Sequence, residues 1–299
     1  MKILCFGSCN IDNVLSVEHT VRPGETIAAE KVEIFPGGKG LNQAIAMARA
    51  LKGSAIPVFH AGCIGEDGEF LRKLLIKSGA DTTYLRTGDV RTGFAIIQVD
   101  KNGENSIVVS AAANGTVTEE YIDEVLSHFE TGDMLVMQNE ISHPDYLVDR
   151  AHEKGMQIVL NPSPLNERIA SLDMKKITYL VLNRLEAETI FGTCDEAKLQ
   201  AKALELNGPK LIMTLGSKGS VYLDGKAAVL QQAYPVKAVD TTGAGDTFTG
   251  YFVAGTALGK PVKEAMDLAA AASALSVTRM GAAASIPEAS EVKAFLNKI

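Results

Sequence analysis

Cysteine is scarce in this 299-residue chain. The four present, Cys5, Cys9, Cys63 and Cys194, lie too far apart, with no histidine at ligand spacing, to form a zinc site or the disulfide framework of a secreted protein. Free thiols in a reducing cytosol follow. No apolar stretch approaches the ~20 residues of a membrane span. The opening MKILCFGS carries one basic residue and an apolar run too short for the core of a signal peptide, so a cytoplasmic location is expected. Positive charge is short as well: 29 Lys and Arg stand against 36 Asp and Glu, for a net charge of -7. Nucleic-acid binding relies on clustered Lys and Arg to displace counterions, so neither a nucleic acid nor a membrane is expected as partner, and any phosphate site must be local. Repeats, low-complexity tracts and linkers are also missing, which leaves one folding unit over residues 1–299.

Two nucleotide fingerprints are absent. In FPGGKGLNQA the Gly38-Lys39 pair is followed by Gly40-Leu41, so the hydroxyl that closes a Walker A loop is not there. After the first apolar run, FGSCNIDN supplies one glycine where a dinucleotide enzyme needs three, which argues against a dehydrogenase. A tight turn before a helix explains the glycines of this segment but not Lys39 or Asn42.

What is present is 46% hydrophobic residues, enough for a large core. From about residue 130, apolar runs alternate with helical patterns: DMLVMQ, a helix over 144–154, MQIVLNP, a helix over 166–173, ITYLVLN, a helix over 185–206, then KLIMTLG. This predicts an α/β fold with a doubly wound, mostly parallel sheet covered on both faces. In the N-terminal third, NVLSV, ETIAAEKVEIF, GFAIIQVD and NSIVVSA alternate around turn signals and predict antiparallel ribbons leaving the main sheet, a small β lid inserted at about 11–36 and 92–110. The last ~55 residues read as helical, with the Ala run of EAMDLAAAASALSV a packing feature.

Polar residues close the apolar strands: Asn10 and Asp12 after the first, then Glu140, Asn161, and Asn183 with Glu186. Open parallel sheets bind ligands beyond the carboxyl ends of their strands. Each residue alone reads equally as a cap or turn, and their joint placement is what favours a site. In VDTTGAGDTFTGYF, glycines and the start of a helix make an anion cradle, yet Asp246 sits inside it. Asp246 is either a helix cap or a group with chemical work at an anion site.

At this point the chain resembles a family, the ribokinase-like or phosphofructokinase-B sugar kinases. GGKGLNQA with the later CIGEDGEF resembles the N-terminal signature, and DTTGAGDTFTG the C-terminal one. GSCNID, MQNE, NPSP, NRLEAE, TLGSKGS and VTRMGAAASIP follow in the family's order. The resemblance spans essentially the whole chain and implies an ATP-dependent sugar kinase, with the 5-hydroxyl of D-ribose as the favoured acceptor. It implies Asp246 as the base toward the sugar hydroxyl, and the N–H groups of Gly243, Ala244 and Gly245 as the anion hole. Asn10, Asp12, Gly38, Lys39, Asn42 and Glu140 would contact the sugar. Asn183, Thr214, Leu215, Gly216, Ser217, Lys218 and Gly219 would meet the nucleotide, and Glu186 would organise Mg²⁺ through water. Asp240, Thr242, Ser276, Arg279, Gly281 and Ser285 match the loops that hold K⁺.

Three positions depart from the family pattern: Arg184 after the Asn, Ala112 in place of a glycine in SAAANG, and Ala270 where a histidine can stand beside the adenine. They bear on nucleotide and sugar details and leave the phosphoryl-transfer residues intact. A deoxyribose, a ketohexose or a nucleoside is the alternative substrate on the same fold. A non-catalytic sugar-binding protein is the alternative of another class, against which Asp246 and Glu186 count. The lid's unpaired strand edges imply a homodimer.

Overall fold

The computed structural model describes residues 1–298. Strand β1 (Ile3–Phe6) is fully buried, and its side chains divide by parity: Ile3 and Cys5 enter one apolar core, Leu4 and Phe6 the other. Its neighbours β4 (Val58–Gly65) and β8 (Met134–Gln138) pair with it in parallel. β5 (Leu85–Gly88) extends the sheet beyond β4. β9 (Gln157–Asn161), β10 (Tyr179–Asn183) and β11 (Lys210–Thr214) continue it in parallel beyond β8. β12 (Ser220–Leu223) and β13 (Ala228–Gln231) close that edge as antiparallel strands. Short apolar runs buried on both faces become central parallel strands because only helices on each side can cover them.

Helices α1 (Lys39–Ala50), α2 (Glu69–Ser78), α7 (Ala244–Ala257), α8 (Val262–Ser276) and α9 (Ala289–Leu296) fill one core. Helices α3 (Glu119–Leu126), α4 (Pro144–Glu153), α5 (Arg184–Phe191) and α6 (Glu196–Leu206) fill the other. Small residues set the spacing. A Cβ on Gly250 of α7 would collide with Ala46 and the backbone of α1, and one on Gly255 would lie 2.9 Å from Ala265 of α8. The Ala run therefore serves close helix packing, as its composition predicts.

The lid is a four-stranded sheet in the order β3 (Lys31–Gly37), β2 (Asn10–Ser16), β6 (Gly93–Val99), β7 (Asn105–Ser110). Its central pair, β2 with β6, runs parallel, whereas the outer pairs are antiparallel. This departs from the expected pure ribbons: each ribbon is a local hairpin-like pair, and their mutual direction is set by where the main sheet launches them. ETIAAEKVEIF forms a strand only from Lys31. Two predicted helices also change. Residues 166–173 hold one short 3₁₀ stretch, Glu167–Ser171, and 185–206 splits at Gly192, whose left-handed φ of 68° ends α5.

β1 lies between β8 and β4, so chain connections leave it in opposite directions and a crevice opens at the carboxyl ends of β1 and β8. Among the described residues, no helix is long and apolar enough to cross a membrane.

Candidate active site

The glycines of FPGGKG bring α1 onto the end of β1. Gly38 caps the helix at φ 93°, the Leu41 N–H donates to the Ser8 carbonyl at 2.8 Å, and a Cβ on Gly40 would strike the Gly7–Ser8 backbone. Across the crevice, Gly243 caps α7 with φ 74° against Ala282. The Ala244 N–H turns to the Thr241 carbonyl at 3.2 Å, while those of Gly243, Gly245 and Asp246 have no acceptor among the described residues. The free N–H groups at the start of α7 are thus those of Gly243, Gly245 and Asp246, whereas the Ala244 N–H, expected among them, is spent on Thr241.

Asp246 does not cap its helix. Its carboxylate, 7% exposed, reaches to α1, where Asn42 Nδ2 donates to Oδ2 and Gln43 Nε2 donates to Oδ1, both at 2.9 Å. Behind it Gln138 Nε2 donates to Gln43 Oε1 at 2.8 Å. Neither glutamine was among the expected site residues. The available signal was an amide beside Asn42 on the apolar face of α1, and another closing the all-buried run MLVMQ. Asn42, expected at the sugar, spends its amide on Asp246 and keeps a buried, unpartnered Oδ1.

Beyond the end of β8, Glu140 accepts from the Ser8 hydroxyl and, at 3.0 Å, from the Lys39 N–H. Burial pushes its carboxyl up, against the pull of Ser8 and Lys39. The Asp246 carboxylate holds the Lys39 ammonium above the usual lysine range, with Glu140 and Glu186 adding to it against burial. Asp12 is raised to about 6, first by burial and then by the Glu140 charge. Its carboxylate fills the space beside Gly37 so closely that a methyl there would collide with it.

Asn114 was also missed. Its Oδ1 accepts from the Cys9 N–H at 3.0 Å and its Nδ2 donates to the Cys9 carbonyl at 3.3 Å, which fixes which way the amide points. Nδ2 therefore donates to Asn10 Oδ1 at 2.7 Å, and Asn10 is left with its NH₂ to offer. Asn10 thus spends its oxygen on Asn114 and keeps its donors. The three residues meet only because β2 carries Asn10 against Gly93, where any side chain would displace both amides. The nearby Ala112 adopts φ 40°, the left-handed conformation that a glycine takes freely.

A cavity of about 140 Å³ joins Lys39, Asn161, Asn183, Glu186, Gly245 and Asp246. Asn183 and Glu186 form a reciprocal capping box at the start of α5: the Glu186 N–H donates to Asn183 Oδ1 at 2.9 Å and the Asn183 N–H to Glu186 Oε2 at 2.8 Å. The motif is thus structural first, and it aims a 6%-exposed carboxylate into the same cavity as Asp246. The Glu186 carboxylate beside this space fits a group that orders Mg²⁺, which is usually held by one or two carboxylates plus phosphate oxygens.

A wider cleft of about 510 Å³ opens alongside, lined by Thr214, Gly216, Ser217, Gly219, Ala244, Gly245 and Ala270 among others. Of the expected nucleotide residues, Asn183, Leu215 and Lys218 are not in the lining: Asn183 lines the smaller cavity, Leu215 packs on the second core and Lys218 is exposed. Ala270 belongs to it, and its methyl leaves open the space a histidine would occupy. Val236, Ala238, Phe248, Ala274 and Val277 supply apolar walls, and none of them was among the expected site residues. Arg184 is exposed and its guanidinium reaches Cys194 Sγ at 3.4 Å.

Asp240 ties two loops together. Oδ1 accepts from the Thr242 N–H and hydroxyl at 2.9 and 2.7 Å, and Oδ2 from the Gly281 N–H at 2.8 Å. These bonds hold its carboxyl below the usual range despite burial, which acts the other way. Ser276 and Ser285 are buried, and each hydroxyl donates to a local carbonyl, which leaves oxygen lone pairs free. Arg279 sends its side chain to Glu291 at 2.5 Å, away from the loop. Asp240 and Gly281 thus bring together the two loops, 239–243 and 276–285, that were expected to hold K⁺.

Residues 1–289 match the pfkB family carbohydrate kinase profile. The chain is 38% identical to a ribokinase of Haemophilus influenzae, over 97% of this chain and 96% of that one. Its fold superposes on a ribokinase from Thermotoga maritima with a TM-score of 0.86 at 35% identity, covering 99% of both chains. An Arabidopsis thaliana ribokinase complexed with ribose and ATP matches with a TM-score of 0.83 at 28% identity, over 99% of this chain and 98% of that one.

Proposed function

Since the chain belongs to the pfkB family of carbohydrate kinases, phosphotransferases with an alcohol acceptor, we propose that it is a ribokinase, transferring the terminal phosphoryl group of ATP to the 5-hydroxyl of D-ribose. The observation that carries this reading is Asp246, a carboxylate one residue from the free N–H groups of the cradle, oriented by α1 and not used as a cap. Asp246 takes the proton of the attacking hydroxyl, while the cradle N–H groups and Lys39 meet the charge that spreads over the phosphoryl oxygens. Asp12 and Glu140 accept from sugar hydroxyls and Asn10 donates to one. The nucleotide takes the 510 Å³ cleft, with its phosphates toward Gly245.

Mg²⁺ accompanying ATP would offset phosphate charge, and Glu186 is the residue that would order it through its water shell. K⁺ would be held by oxygen atoms of the loops that Asp240 joins, ordering the cradle. The lid leaves Val32, Ile34, Ile107, Val108 and Val109 exposed, Val108 at 68%, and two free strand edges. A second copy of the chain is the partner we expect to cover them. Four unpaired thiols are in keeping with a cytoplasmic protein.

The test is coupled ADP release across D-ribose, 2-deoxy-D-ribose, fructose and a nucleoside. D-Ribose should exceed 2-deoxyribose by roughly ten-fold or more in kcat/KM, because the missing hydroxyl leaves a buried acceptor unpaired. A higher kcat/KM for fructose or a nucleoside would reject ribose as the substrate, and sugar binding without turnover would favour a binding protein. Light scattering giving a monomer at micromolar concentration would refute the dimer.

A further inference from the structure

Resting on Asp246 as the base, we propose that Gln43 and Gln138 form a two-amide relay that positions its carboxylate for proton abstraction, with neither residue touching substrate. Both are 0% exposed. Gln138, at the end of β8, donates through Nε2 to Gln43 Oε1 at 2.8 Å, and Gln43, in the first turns of α1, donates through Nε2 to Asp246 Oδ1 at 2.9 Å.

The direction of the relay is dictated by its end. An ionised carboxylate only accepts, so Gln43 must present its NH₂ to Asp246, and its oxygen must then find a donor inside the core. Gln138 is that donor, and it leaves its own Oε1 with no partner among the described residues. The second hydrogen of the Gln43 NH₂ faces Asn161 Oδ1 at 3.4 Å, and Asn161 is itself held by donating to the Val181 carbonyl at 2.9 Å. Room for the relay is made by Gly7, where a Cβ would collide with the Gln138 amide.

Two buried amides between helix and sheet are costly where apolar side chains would pack. Their placement makes sense through what they hold. Without Gln138, Gln43 Oε1 is left buried without its donor, and the amide that holds Asp246 Oδ1 loses its anchor in the core. Without Gln43, Oδ1 of a nearly buried base loses its donor and Asp246 is held from one side only, by Asn42. A misplaced base costs turnover, whereas sugar and nucleotide contacts made by other residues persist.

The test is steady-state kinetics of Gln43→Leu, Gln138→Leu and the double variant, with thermal unfolding as a fold control. Gln43→Leu should lower kcat about 10- to 100-fold, the scale of one hydrogen bond to a charged group, with both KM values within about three-fold. Gln138→Leu should lower kcat in the same way but less. The double variant should be no slower than Gln43→Leu alone, because Gln138 acts only through Gln43. Multiplying losses, a raised KM at constant kcat, or a kcat within three-fold of wild type for Gln43→Leu would each overturn the relay. If a leucine variant does not fold, Gln43→Met and Gln138→Met, close in length, carry the same expectations. Failure of the base reading is distinguishable: Asp246→Asn would then turn over normally, whereas an inactive Asp246→Asn with unimpaired glutamine variants overturns the relay alone.

Discussion

Replacing Asp246 by Asn separates a base from a cap because of how its two oxygens are held. Each accepts one amide N–H, from Asn42 and Gln43, at 2.9 Å. An asparagine keeps one acceptor and turns the other into a donor. Gln43 could turn over to meet it only if Gln138 turned with it, since Gln43 Oε1 accepts from Gln138. Asn42 can, because its Oδ1 is buried without a partner. The variant amide therefore places its oxygen toward Gln43 and its NH₂ toward a flipped Asn42, and both hydrogen bonds survive without charge. Losing charge assistance on two bonds costs about 1–3 kcal/mol, part of it recovered because a carboxylate is no longer buried. The protein should fold, with a melting temperature within several degrees of wild type. Turnover should fall by roughly 10²- to 10⁴-fold, the scale of a positioned base. Calorimetry should find sugar affinity nearly intact, since Asp12, Glu140 and Asn10 are untouched. The assay is ADP release at saturating sugar and ATP, read beside a thermal melt. A folded Asp246→Asn protein with kcat within ten-fold of wild type would refute the assignment.

Further outcomes are expected at Asp12, Gly37, Ala112 and the loops joined by Asp240. Asp12 is raised to about 6, first by burial and then by Glu140. The native state thus holds that proton more tightly than the unfolded chain, so stability falls as pH rises toward 6, and Asp12→Asn should melt higher than wild type at pH 8 with no difference below about pH 4. The same group must be ionised to accept from sugar hydroxyls, so kcat/KM for the sugar should drop as pH falls through about 6, a limb Asp12→Asn should lack; its persistence would exclude Asp12. Gly37→Ala puts a methyl into the Asp12 carboxylate and should raise the sugar KM with the ATP KM unchanged, which an unaltered sugar KM would contradict. Ala112→Gly relieves a left-handed alanine at φ 40° and should add up to about 1 kcal/mol in denaturant unfolding, whereas a loss would show that the alanine methyl matters more than its backbone. K⁺ should activate turnover over Na⁺ through the loops joined by Asp240, and equal rates in K⁺, Na⁺ and a large organic cation would reject a cation there.

By itself the sequence determined the alternating βα core, because uninterrupted apolar runs such as ILCF and MLVMQ have only one economical use, as parallel strands covered on both faces. It also determined the two glycine segments, since glycine most freely takes the positive φ of the caps at Gly38 and Gly243 and a Cβ on Gly40 would block the approach of α1 to the end of β1. The strand-end residues were legible as a set because a doubly wound sheet gathers such ends at one crevice. Local pattern misled at 166–173 and at Gly192, where helical periodicity did not reveal a 3₁₀ stretch or a chain reversal. Tertiary structure alone decided what each polar atom does. Asp246 and Gln43 stand 203 positions apart, Gln43 and Gln138 stand 95, and Asn10 and Asn114 stand 104. An amide carries its donor and acceptor on the same carbon, so its letter in the sequence leaves open which it presents. That choice is made by the fixed partner behind it, the Cys9 backbone for Asn114 and the Asp246 carboxylate for Gln43, and such partners exist only once distant segments have been packed together.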